Sequence, residues 1–578
     1  MLPACYSELF AIYARIARRH EYSCRGEPGS LVGVCFPIQD APLCCAIRKG
    51  SPTVMTTTIG LVVSLLVVVV VLSALATRIA LPSPIVLVVG GLLLSFLPGL
   101  PTIDLAPDLV LFVFLPPLIY ASAWQTSWRE FHANLRPILL LAIGLVLVTT
   151  TLVAVVAHAL VGLPWGVAFV LGAIVSPTDA VAASATAQRV GLARRLVTVL
   201  EGESMVNDAT GLVIYRFAVA AVVSGMFSLG AAGLQFVVVG GGGLLLGLAA
   251  SWPIARLHRV LDDAPIEITI TLLTPFVVYL CAEAVHVSGV LAVLAAGLYL
   301  SRQSARFFSS TTRLQANAVW EVLVFLLNGL LFVLIGLQMN RIITAIAGWP
   351  LPVILGDALV ICLTVILTRV AWVFPATYLP RVLSARLRQV DPYPGWRNVL
   401  LIAWAGLRGG LSLAAAFALP FTIATAAVFP ERDRIIFLTF CVIVATLVVQ
   451  GVGLVPLIRL LGLRADSAPG EELQFARQVA IRAALDRLDA QATDDGVSEP
   501  FLADLQGHYE DRLRQVTRPI DGSALDEDPT PAQDRLRRAV IAAERAAVIQ
   551  LRDQGRIADD VLRTIERELD LEEQRVRH

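Results

Sequence analysis

"GAIVSPTDAVAASATA", residues 172 to 187, reads as a membrane-spanning helix that breaks halfway. Its residues suit hydrocarbon, but Pro177 lacks the amide an α-helix needs and its ring crowds the carbonyl one turn back. Thr178 and Asp179 follow at once. An opened backbone is tolerated at that depth only when protein encloses it or it lines a water-filled cavity. A second stretch has the same character: "AWAGLRGGLSLAAAFALP", residues 403 to 420, sets Gly406, Gly409 and Gly410 around Arg408. Two interrupted, charged spans point to a transporter plan.

The composition agrees. The chain is 57% hydrophobic and 16% charged, with a mean hydropathy of +0.75, whereas soluble domains carry about 25% charged residues. It is read as an all-α polytopic membrane protein. A formal net charge of zero and the lack of any basic nucleic-acid motif exclude a broad nucleic-acid footprint. Five of the eight cysteines lie in the first fifty residues and three are scattered through apolar runs, a pattern with neither metal-ligand spacing nor a disulfide framework. No cofactor is expected.

A spanning helix needs about 20 largely apolar residues. Thirteen windows qualify between residues 57 and 462, among them 135–160, 164–187, 194–222, 350–379 and 396–422, with the division at His286–Ser288 the least marked. If the first span starts outside, the inside loops carry fifteen arginines and the outside loops three, the asymmetry expected of a membrane protein. The charged tail is then cytoplasmic. Thirteen also divides as six, one and six, so two six-span halves enter from opposite sides as inverted repeats. The two interrupted spans are the fifth of each half.

Three domains follow: residues 1–54, a non-native or disordered N-terminal extension; 55–463, the transmembrane domain; and 464–578, a helical cytoplasmic domain. Arg15, Arg18, Arg19, Arg25, Arg48 and Lys49 of the extension would lie on the wrong side of the membrane, and Met55 precedes the first long apolar run, which makes it the expected start. The tail shows apolar residues at helical spacing, as in "AVIAAERAAVIQLRD". Such helices suit packing on each other, on a partner tail, or against the transporter as regulators.

"EGESMVNDATG", residues 201 to 211, places acids in another apolar run. Ser204 and Asp208 are four apart and share one helix face; Glu203 and Asn207 share the next. An intramembrane acid is a functional candidate because its charged form is costly there. It can hold a proton or a hard monovalent cation, for which Thr178 and Ser204 offer hydroxyl oxygens. Two arginines, Arg369 and Arg408, stand in apolar runs opposite three acids, Asp179, Glu203 and Asp208. Two ion pairs leave one carboxylate over.

The strings "FVFLPPLIYASAWQTS", "SPTDAVAA", "EGESMVNDATG", "SGVLAVLAAGL" and "AGLRGGLSLA" resemble, in order and across residues 57 to 462, those of the sodium/proton antiporter family, bacterial relatives of the animal sodium/proton exchangers. The resemblance implies a homodimer of thirteen-helix protomers embedded in lipid, with crossed, unwound fifth and twelfth helices. It implies Asp208 as ion and proton carrier, Asn207 as its neighbour in an Asn-Asp motif, and Thr178 and Ser204 as cation ligands. Glu203 would pair with Arg369, and Asp179 with Arg408. Asn rather than Asp at 207 means one carboxylate alternates between one proton and one cation, which predicts electroneutral exchange in the plasma membrane in the service of pH homeostasis. Ala121 departs from the family, where many relatives place an acid after "LPPLIY".

Glu283, His286 and Glu321 lie near span ends and read as interfacial or cavity-lining groups, and His158 as a satisfied polar group. Potassium/proton exchange is the alternative within transport. A hydrolase would need a base beside Ser204, and no histidine lies at that depth; a sensor with the tail as output is the reading from a third class. The chain is not expected to be an enzyme.

Overall fold

The computed structural model describes residues 52–79, 82–97, 107–179, 192–225, 229–261, 263–346, 348–423, 428–462, 468–491, 499–516 and 531–577. The expected N-terminal extension lies almost wholly outside them, as does the second half of the 164–187 window. The chain divides into two compact units, Met1–Ser64 and Leu65–His578. In the first, the described residues form the start of a helix. The second holds the rest of the described residues.

Among the described residues the chain is helical apart from one isolated bridge between Thr422 and Val428. The helices are α1 (Pro52–Arg78), α2 (Ser83–Ser95), α3 (Pro107–Gln125), α4 (Trp128–Ala133), α5 (Leu135–Ala159), α6 (Trp165–Val175), α7 (Arg194–Ser224), α8 (Leu229–His258), α9 (Ala264–Ala284), α10 (Gly289–Phe307), α11 (Ser310–Leu337), α12 (Met339–Ala345), α13 (Leu351–Leu383), α14 (Ala385–Val390), α15 (Trp396–Trp404), α16 (Gly410–Phe417) and α17 (Arg432–Leu461). The tail adds α18 (Ala468–Gln491), α19 (Glu499–Val516), α20 (Pro531–Asp553) and α21 (Asp559–Arg577). Eight helices among the described residues are long and apolar enough to cross a membrane, with α2 and α6 as shorter apolar helices.

Local chemistry sets the ends. Pro stands in the first turn of α2, α9 and α13, where the missing amide would have been unpaired anyway. The division at His286–Ser288 is real: His286 adopts a left-handed φ of 58°, and the Ser288 hydroxyl accepts from the Leu291 amide to cap α10. Single π turns interrupt α5 at Leu140–Leu145 and α17 at Thr446–Gly451. Near each, a main-chain carbonyl accepts an indole N–H: Leu140 from Trp372 and Gln450 from Trp404, both at 3.1 Å.

Two large apolar clusters form the interior. One gathers Leu171, Ile174, Ile361, Phe437 and Ile443; the other gathers Tyr120, Ala209, Val278, Val293 and Trp320. Leu212 of α7 packs against both. The α7 helix is therefore braced from two sides. On α8, by contrast, Leu234, Val237, Val238, Leu245 and Trp252 are exposed, as expected of a surface meant for lipid rather than water. The tail helices bury apolar clusters of their own, around Ile541, Val548 and Ile565 and around Leu488, Tyr509 and Val540.

Candidate functional site

The site forms where two broken helices meet α7. The helix α6 ends at Val175 and residues 176–179 are not helical; α15 ends at Trp404 and α16 resumes only at Gly410. The two open segments are joined through backbone, the Asp179 amide donating to the Leu407 carbonyl at 2.8 Å. Pro177 packs its ring directly against Gly211 of α7, where any Cβ would collide with it. This close approach sets Thr178 beside the acidic turn of α7.

The faces read from spacing separate as expected. Glu203 and Asn207 are each 1% exposed, while Ser204 and Asp208 remain partly accessible. Glu203 is ion-paired with Arg369, itself 1% exposed: Nη1 meets Oε1, and Nη2 donates to Oε2 at 2.9 Å. The Arg369 Nε and Nη2 also donate to the Ile402 carbonyl at 3.2 and 3.0 Å. That carbonyl belongs to the last turn of α15, whose end carries partial negative charge that a guanidinium offsets.

Hydrogen-bond direction then orders the rest. Ionised Glu203 only accepts, so the Thr178 hydroxyl donates to its Oε1, at 2.9 Å. Thr178 Oγ1 must therefore accept from Asn207 Nδ2, at 2.6 Å, which fixes the amide and turns its carbonyl oxygen elsewhere. That buried Asn207 oxygen has no hydrogen-bond partner among the described residues. Asp208 makes neither a hydrogen bond nor an ion pair among them. Asp208 is thus a partly accessible carboxylate with no arginine against it among the described residues.

One expected pair takes a different form. Arg408 is fully buried, and its Nη1 donates to the carbonyl of Ser176, at the C-terminal end of α6, with no ion pair to Asp179. The Asp179 carboxylate stands against Gly409, at the N-terminal end of α16. Each charge thus compensates a half-helix end of opposite sign. Side-chain charge counting misses this because the partner is a set of peptide dipoles. A cavity with room for about one water molecule lies alongside, lined by Pro177, Gly211, Tyr215 and Ser412.

Two further ion pairs escaped sequence reasoning. Arg216, two turns beyond Asp208 on α7, pairs with Glu283 at 2.8 Å; "VIYRFAVA" was the available signal. Arg434 pairs with Asp357 at 2.6 Å and stacks over Trp349. His286 and Glu321 are exposed. His158 bonds the Leu163 carbonyl at 2.8 Å and stacks on Trp165, a satisfied polar group. Ala121 is buried in the apolar cluster that includes Ala209. The described residues contain no cluster of His, Cys, Asp or Glu that could hold a metal ion.

Comparison with known proteins places this geometry. The family model for the transmembrane domain of sodium/hydrogen exchangers matches residues 62–460. An uncharacterized Na(+)/H(+) exchanger of Mycobacterium bovis is 38% identical over 518 residues, 89% of this chain and 95% of that protein. A sodium, potassium, lithium and rubidium/H(+) antiporter of Bacillus pumilus is 36% identical, over 76% of this chain and 66% of its own length. The structure of the sodium proton antiporter MjNhaP1 from Methanocaldococcus jannaschii superposes with a TM-score of 0.55 at 20% identity, covering 69% of this chain and 99% of that one, a likeness of fold. A helical membrane chain with two broken helices meeting an acid-bearing third thus belongs to the sodium/hydrogen exchanger family, and it is a cation/proton antiporter.

Proposed function

We propose that the chain exchanges one proton for one sodium ion at Asp208 by alternating access. The observation that carries this reading is the state of Asp208 among its neighbours. Glu203 and Arg369 neutralise each other, and Arg408 and Asp179 are one charge of each sign set on opposed helix ends. The net charge of the site is then that of Asp208. Anionic Asp208 is costly to carry through a low-dielectric barrier, whereas a bound proton or monovalent cation cancels its charge. Only the loaded forms cross, so the two ions exchange and no net charge moves.

Asp208, Ser204 and Thr178 supply oxygens for the cation. Asn207 positions Thr178 and, through its unpartnered carbonyl oxygen, adds an acceptor beside the carrier. Asp179 and Arg408 stabilise the crossing of the broken helices, and Glu203 with Arg369 holds Thr178 in place. In this mechanism α6, α7, α15 and α16 move together against α3, α10 and α11 as the site changes sides.

The finer architecture belongs to the same proposal: thirteen crossings in two inverted six-helix repeats spanning residues 55–463, an N-terminal extension over 1–54 outside the functional unit, a cytoplasmic domain over 464–578, and a homodimer in the bacterial plasma membrane. Clustering of the basic loops supports the orientation. Arg136, Arg195 and Arg381, from three loops assigned to the inside, converge on Asp391, while Arg129 and Arg194 meet the tail.

A second reading, potassium in place of sodium, is favoured by the name of the Bacillus relative, which includes potassium. Inverted vesicles decide both points. Adding sodium should drive proton flux in wild type and none in Asp208→Asn, with both proteins folded to equal yield; potassium added alone separates the two cations. Undiminished flux in Asp208→Asn would remove the carrier assignment.

A further inference from the structure

The antiport mechanism leaves the last helix, α21, without a task. Its residues Asp559, Arg563, Glu566 and Asp570 recur at helical spacing along one face, and the structure presses that face onto the membrane domain. At one end, Asp559 accepts from the Ser127 hydroxyl at 2.6 Å, Asp560 meets Arg194, and the preceding Ile557 carbonyl accepts from Arg129. In the middle, Arg563 Nη1 donates to the Trp124 carbonyl at 2.9 Å, so a cation sits on the C-terminal end of α3. At the other end, Arg313 of α11 grips Asp570 with two parallel bonds of 2.8 and 3.0 Å and reaches Glu566 at 3.5 Å.

These contacts differ in weight. The side chains of Arg313 and Asp570 are 10% and 1% exposed, so separating them strands a charge. The nearby pair of Arg306 and Asp553 is 54% and 36% exposed, and a pair that open to water contributes little. Ala305 of α10 also packs into the apolar cluster formed by Ile557, Val561 and Ile565. The receiving surface is a basic ledge, and what fits it is an acidic amphipathic helix.

The ledge is not one body. Helices α10 and α11 both pack on α3, whereas α7, which offers Arg194, packs chiefly on α5 and α6. We propose that α21 is a latch: by bridging Arg194 at the start of the carrier helix to Arg313 on α11, it restrains the movement of α7 and slows exchange until it lets go. This rests on the reading above that α7 moves against α3, α10 and α11.

The test uses the full-length protein in proteoliposomes, with sodium-driven proton flux as readout and hydrogen exchange of residues 559–577 reporting whether α21 is docked. Arg313→Gln combined with Arg563→Gln should speed hydrogen exchange in α21 and raise the initial flux at least threefold. Conversely, Ser127→Cys with Asp559→Cys, once oxidised to a disulfide, should cut flux to under a tenth, and reductant should restore it; neither single cysteine should show a fall in flux that oxidant causes and reductant reverses. A released α21 with unchanged or slower flux, or a cross-linked protein that exchanges at the wild-type rate, overturns the latch. Wild type without any cation-driven flux would sink the antiport reading instead, so the two failures are distinguishable.

Discussion

Removing the Glu203 carboxylate should unfold the protein more readily before it says anything about transport. Glu203 accepts from both terminal nitrogens of Arg369 and from the Thr178 hydroxyl, and both members of the ion pair are 1% exposed. In Glu203→Ala the guanidinium keeps only the Ile402 carbonyl. Breaking a buried pair from one side costs about 3–5 kcal/mol, because the remaining charge is stranded. The orphaned Thr178 hydroxyl adds about 1 kcal/mol. Arg369→Ala should cost a similar amount by stranding the carboxylate. Replacing both residues with Met should recover most of the loss, since an apolar pair of similar volume is often as stable as a buried ion pair. The double variant should nevertheless transport poorly, because the Thr178 hydroxyl then loses the acceptor that orients it and is held by Asn207 alone. Thermal unfolding in detergent, followed by intrinsic fluorescence and by monodispersity on size exclusion, measures all three proteins. Melting temperatures for the single variants equal to wild type would refute the pairing argument, and a double variant less stable than either single would refute the account of why the pair matters.

Other consequences are narrower. Gly409→Ala would push a methyl into the Asp179 carboxylate and should abolish exchange while costing about 1–3 kcal/mol in overpacking, read by vesicle flux and thermal unfolding together. Glu283→Ala should change stability by less than about 1 kcal/mol, because its partner Arg216 has a side chain 51% exposed; a thermal shift as large as that of Glu203→Ala would contradict this. In the tail, burial pushes Glu544 up to about 7 from its ordinary 4.5, against an opposing pull from Arg512. Folded protein therefore keeps a proton that the unfolded chain releases first, and the tail should lose stability as pH rises from about 4.5 to about 7, by up to about 3 kcal/mol, with no further loss above. Hydrogen exchange across α18–α21 at pH 5 and pH 8 measures this, and Glu544→Gln should flatten the difference.

The amino-acid sequence by itself determined the class and pointed to the candidate site. Apolar windows of membrane length are visible because hydrocarbon penalises every unpaired polar group, and Pro177 and the glycines around Arg408 mark broken helices because they act on the backbone locally. The division of Glu203 and Asn207 from Ser204 and Asp208 follows from helical spacing alone. Tertiary structure decided which charge answers which. Glu203 with Arg369 joins positions 166 residues apart; Arg408 answers a peptide carbonyl at a helix end where a carboxylate was expected; Arg216 meets Glu283; and α21 lies across the ends of α3, α7 and α11. Charge inventories can be counted along a chain, but pairing depends on distances that only the packed helices set, and on helix dipoles that belong to no residue.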